Sequence, residues 1–139
     1  MAVHQETLDI RTTGRGLREI TTDVANIVQR SALRAGNVVV FCRHTSCSLV
    51  IMENADPTAR QDLEAYFDRL APDGDPRYAH DSEGPDDMSA HLRMALTRTS
   101  ESIPFSERRL MLGTWQGIFL WEHRTSPHRR SIVVSLVGE

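Results

Sequence analysis

Four of the six histidines fall where chemistry can be built. His44 and His123 sit at or near the C-terminal ends of strand-like runs. His80 lies in a long loop, and His91 lies in the helix-like segment that follows. His4, near the terminus, and His128, in a turn, are peripheral. The stretch 80–91 (HDSEGPDDMSAH) is dense in ligand types, adding Asp81, Glu83, Asp86 and Asp87 to two imidazoles. Three imidazoles with an open position suit zinc and similar borderline metals. Neighbouring carboxylates can orient such rings or serve as general bases. A purely structural assignment competes with this one. His91 falls on an apolar stripe, and Asp86 and Asp87 suit the positive end of a helix dipole. The spacing of His80 and His91 also matches no standard metal motif.

Two further groups stand out. Glu53-Asn54-Ala55-Asp56 lies at a strand-to-helix junction, where free N–H groups can seat an anion; Asp56 also has the simpler task of capping the helix. Gly113-Thr114-Trp115-Gln116-Gly117 places glycines around an exposed Trp, the pattern of a bulge or of close backbone approach. The pairs Arg108-Arg109 and Arg129-Arg130 are forks that can hold phosphate, or charges that protect strand edges.

Composition narrows the chemistry. All 16 basic residues are Arg and none is Lys. Schiff-base, pyridoxal and P-loop mechanisms are therefore excluded. The net charge of −3 argues against nucleic-acid or membrane-surface partners. No apolar run reaches the roughly 18 residues of a membrane helix, and the opening residues do not read as a secretory signal. Cys42 and Cys47 form no CxxC pair and cannot build a cysteine zinc site, so a reducing cytoplasm is the expected setting.

The elements that must position these residues follow from periodicity. Residues 7–13 alternate as an opening strand. Residues 17–35 carry Leu17, Ile20, Val24, Ile27, Val28, Ala32 and Leu33 on one helical face, with Thr21-Thr22-Asp23 as an internal start signal and Gly36 as a stop. Strands are expected at 37–42 and 48–53. A helix capped by Asp56 and opened by Pro57 should run to about Leu70. A loop over 71–84 precedes a helix opened by Pro85. Strands follow at 102–106, 109–113, 116–123 and 130–137. Residues 1–139 thus read as one α+β domain with about three helices and a largely antiparallel or mixed sheet.

Taken in order, His44-Thr-Ser-Cys-Ser, Glu53-Asn-Ala-Asp56, His80-Asp-Ser-Glu-Gly84, Ala90-His91, Leu112-Gly-Thr-Trp-Gln-Gly117, Glu122-His123-Arg124 and Val137-Gly-Glu139 resemble the YjbQ (UPF0047) family over nearly the whole chain. Cys47 departs from the small residue many relatives carry there, and the stretch 84–87 is variable. The resemblance implies a homotrimer with histidines converging near the subunit interface, and a weak thiamine-phosphate synthase activity. That activity joins a pyrimidine pyrophosphate to a thiazole phosphate and releases pyrophosphate. On this reading His80, His91 and His123 hold a divalent metal, zinc or magnesium. His44, Glu53, Asp56 and Glu83 are the catalytic candidates. Asn54, Trp115, Gln116 and Glu122 would contact a small phosphorylated metabolite. The alternatives are a metal-dependent hydrolase of a small phosphate or amide, and a non-catalytic trimeric metabolite-binding protein.

Overall fold

The structure, a computed structural model, describes residues 1–139. The elements are β1 (Ala2–Arg11), β2 (Gly16–Glu19), α1 (Thr21–Arg30), β3 (Gly36–Cys42), β4 (Cys47–Glu53), α2 (Pro57–Leu70), α3 (Asp87–Leu96), β5 (Ser100–Ser106), β6 (Arg109–Leu110), β7 (Gln116–Glu122) and β8 (Arg129–Gly138). One sheet has the order β1-β8-β3-β5-β6 and the other β2-β7-β4. Every named pairing is antiparallel, which sharpens the expectation of a largely antiparallel or mixed sheet.

Alternation builds the core. Val38 and Val40 of β3, Ile132, Val134 and Leu136 of β8, and Ile118 and Leu120 of β7 are all buried in a single apolar cluster between the sheets. Val24, Ile27 and Val28 of α1 join it at helical spacing. Each such side chain contributes about 1.5–3 kcal/mol on burial. The strand β7 is buried on both faces. Ile118 and Leu120 look into the core, while Phe119 and Trp121 look toward α2, whose Phe67 meets Trp121 edge-on at 4.9 Å.

Three expectations need correction. Leu17 belongs to the short edge strand β2, opposite Trp121, rather than to a helix; α1 begins at the internal signal Thr21. Gly36 opens β3 instead of ending α1, and a Cβ there would come within 2.1 Å of the Val137 carbonyl oxygen. The first strand begins at Ala2, because all of its residues pair with β8. The helix α2 is as expected. Asp56 accepts from the Thr58 N–H at 2.9 Å, and Pro57 stands at the first helical position.

Candidate metal centre

The start of α3 sets the geometry. Asp87 and His91 stand one turn apart on it, and the preceding loop returns His80 to the same spot. Asp87 Oδ2 lies 2.8 Å from His80 Nε2, and Asp87 Oδ1 lies 3.3 Å from His91 Nε2. One ligand atom from each of the three falls within 4.8 Å of the others.

The surrounding bonds decide how this cluster could hold a cation. His91 Nδ1 is 2.7 Å from the carbonyl oxygen of Thr45. A carbonyl only accepts, so Nδ1 carries the proton. In the neutral ring Nε2 then turns a bare lone pair toward a carboxylate. This pairing of imidazole N–H with a backbone carbonyl is the usual support behind a metal-ligating histidine. Asp87 is 2% exposed, yet its Oδ2 accepts no well-formed hydrogen bond. Two ring nitrogens converging on one buried carboxylate fit a divalent cation. Two nitrogens and one oxygen suit zinc or a similar borderline ion better than magnesium, which prefers oxygen donors and water.

Arg124 supports the cluster from behind. It donates to Asp87 Oδ1 at 2.9 Å, to Asp86 Oδ2 at 3.0 Å and to the Glu83 carbonyl at 2.9 Å. Burial alone would raise the Asp86 carboxyl, but Arg124 and the Thr125 N–H together hold it well below the usual carboxylate range. Glu83 is exposed, with Oε2 3.8 Å from His80 Nε2.

His123 stays outside this grouping, whose third member is Asp87. Its Nε2 is 2.7 Å from the Ser48 hydroxyl, and its Nδ1 is buried without a partner. Burial, helped by Arg93, Arg15 and Arg130, pushes its pKa down to about 3. Glu122 and His123 are adjacent, and the pleat sends them to opposite faces. Glu122 turns toward β8, accepting from Thr12 Oγ1 at 2.6 Å and from Arg130 Nε at 2.8 Å. His123 turns the other way, its ring 5.0 Å from that of Trp121. Burial would raise the Glu122 carboxyl; Arg130 and Thr12 outweigh it and hold it below its ordinary value. His44 is also engaged elsewhere, its Nε2 accepting the Ser131 N–H at 2.8 Å. Burial and then Arg130 lower its pKa.

The other predicted residues form a separate neighbourhood. In the β4–β7 ladder Glu53 pairs with Gln116 at one end and Cys47 with Glu122 at the other. Six residue steps at about 3.3 Å put the two ends roughly 20 Å apart. Glu53 Oε2 accepts the Asp56 N–H at 3.0 Å, and Asn54 Nδ2 donates to Glu19 at 3.2 Å. Gln116 Oε1 accepts the Gly113 N–H at 2.8 Å, and Trp115 is 62% exposed. The residues that sequence reasoning undervalued are Asp87 and Arg124. The spacing of Asp87 to His91, one helical turn, was the available signal for the first.

An all-antiparallel two-sheet α+β domain with an imidazole–carboxylate cluster at the head of its third helix defines the structural class. Residues 6–139 match the family model described as UPF0047 protein YjbQ-like, and the chain belongs to that family. It is 52% identical to the UPF0047 protein sll1880 of Synechocystis over 136 residues, covering 98% of this chain and 92% of that one. Identity to the UPF0047 protein YjbQ of Escherichia coli O157:H7 is 39% over 137 residues, covering 98% and 99%. Among solved structures, a YjbQ/UPF0047 family protein from Clostridium acetobutylicum superposes with a TM-score of 0.87 at 32% identity, covering 95% and 99%. A YbjQ-like protein of unknown function from Sulfolobus solfataricus P2 gives 0.87 at 25% identity, covering 99% and 100%.

Proposed function

We propose that this chain is a metal-dependent enzyme acting on a small phosphorylated metabolite, with His80, Asp87 and His91 holding one divalent cation of the zinc type. The observation that carries this reading is the His91–Asp87 pair. A ring whose Nδ1–H is committed to Thr45 faces a buried carboxylate with its other nitrogen at 3.3 Å. Three protein ligands leave positions open for substrate, the pattern of a catalytic site rather than a structural one. A cation there supplies electrostatic stabilisation to phosphate oxygens as charge builds on a departing group. Arg124 orients Asp87 by donating to its Oδ1, and exposed Glu83 stands beside His80 as the candidate acid–base group.

The thiamine-phosphate synthase-like transfer, joining a pyrimidine pyrophosphate to a thiazole phosphate, is the reaction favoured by the resemblance to the YjbQ family. With no Lys in the chain, charge on a released pyrophosphate must be met by Arg, backbone N–H groups or the cation. The homotrimer belongs to the same proposal. Val3, Val39, Phe41 and Val137 are exposed on the five-stranded sheet, an apolar surface suited to a second copy.

Elemental analysis of protein purified without chelator tests the centre. About one zinc-type ion per chain, lost in Asp87→Asn, is the expected result; no stoichiometric metal overturns it. Turnover assays then separate the chemistries. Pyrophosphate release that requires both substrates supports transfer. Phosphate release from one substrate alone supports a hydrolase. Binding without turnover supports a metabolite-binding protein.

A further inference from the structure

Between β1 and β2 the chain runs Arg11-Thr-Thr-Gly-Arg-Gly-Leu-Arg18 around a cavity of about 210 Å³. That is below the roughly 300–1,000 Å³ of pockets that enclose whole drug-sized ligands, and it suits a single chemical group. Gly14 has φ +134°, and a Cβ there would come 2.9 Å from the Thr125 carbonyl oxygen, so the turn requires glycine.

The hydrogen-bond inventory of this turn is incomplete in one direction. Thr12 donates its N–H to His128, and Leu17 donates to Glu64. The N–H groups of Thr13, Gly14 and Arg15 donate to no protein acceptor. The cations beside them are also unspent. Arg18 uses only Nη1, on the Arg11 carbonyl, and the Arg11 guanidinium has no ion-pair or hydrogen-bond partner. Arg11 stands directly opposite Arg129 across β1 and β8, and Arg129 is already paired with Asp9. The two other charged residues of the lining are already paired, Arg15 with Asp73 and Glu122 with Arg130.

We propose that this cavity is an anion site that takes the phosphate group of a small metabolite, through the N–H groups of Thr13, Gly14 and Arg15 and the guanidinium groups of Arg11 and Arg18. The inference rests on the proposed function for its choice of a phosphorylated ligand, but needs no metal. Consecutive backbone donors with adjoining Arg forks are the chemistry that holds phosphate in a chain without Lys. The segment 123–125 joins the cavity to the cation cluster. Thr125 packs on Gly14, and Arg124 reaches Asp87. A metabolite anchored by its phosphate in the turn thus lies on the far side of that segment from His80 and His91.

Amide NMR with inorganic phosphate and pyrophosphate, in EDTA and at constant ionic strength set with chloride, tests the site. The expected result is that the Thr13, Gly14 and Arg15 amides shift most. The double variant R11A/R18A, both exposed side chains, should weaken binding at least about tenfold, roughly one charge-assisted hydrogen bond. Single R11A should weaken it less, and serves if the double variant fails to fold. H91A should leave the affinity unchanged. Equal shifts with chloride, largest shifts elsewhere, or undiminished binding by the Arg variants overturn the inference. A chain that lacks stoichiometric metal yet binds phosphate at 13–15 refutes the metal reading and leaves the anion site standing.

Discussion

His91 Nε2 and Asp87 Oδ1 face each other at 3.3 Å, one helical turn apart, while His91 Nδ1 is held by the Thr45 carbonyl at 2.7 Å. A neutral ring so held has no proton to offer the carboxylate. The pair is complete only with a proton or a cation between its two members.

Zinc should therefore raise the thermal stability of the native chain. At a free concentration about a hundred times its Kd, the gain is about 2.7 kcal/mol. A domain of this size converts that to roughly 5–15 °C in Tm. Asp87→Asn should abolish the shift. Differential scanning calorimetry with and without zinc measures it, and an equal shift in Asp87→Asn speaks against this ligand set.

Arg124→Gln removes the guanidinium that serves Asp86, Asp87 and the Glu83 carbonyl together. Two mostly buried carboxylates would lose their charged donor. The expected cost is about 2–3 kcal/mol in urea unfolding. A variant as stable as the parent would show that these contacts are not made in solution.

The buried Arg130–Glu122 pair predicts an asymmetry. Arg130→Met leaves Glu122 charged and uncompensated, at a cost of about 3–5 kcal/mol. Adding Glu122→Gln should recover a large part of that loss. A double variant no better than the single one contradicts the account.

Acid should expose His123. Its pKa is about 3 in the fold, below the ordinary histidine value of 6.5. Between those values the unfolded chain binds the extra proton and the native chain does not. Its contribution is thus fully present above pH 6.5 and is lost as pH falls toward 3, at up to about 1.4 kcal/mol per pH unit. Comparing unfolding free energies of the native chain and His123→Gln across this range isolates the effect. Parallel pH profiles would reject it.

The helices and most strands were legible because their punctuation is local. Asp56-Pro57 announces α2, and Thr21-Thr22-Asp23 marks the start of α1. The four-residue β2 was hidden because Leu17 and Ile20 extend the apolar spacing of α1 backward, and only pairing with β7 makes Leu17 non-helical. The site was legible in part. His80 and His91 flank an acidic helix start, and they do meet. Glu53, Asn54, Asp56, Trp115 and Gln116 also meet as a group, but at the other end of the ladder. His123 could not be placed from its sequence neighbours. Which way its ring turns depends on the register of β7, and that register comes from long-range pairing with β2 and β4.

The two directions taken by Glu122 and His123 make the length of β7 unforgiving. Deleting one residue between Gly117 and Trp121 would swing the carboxylate beneath α2, away from its guanidinium, and drive the imidazole into the oily space between the sheets. Evolution can lengthen or trim the 71–84 loop far more freely than it can recount this strand.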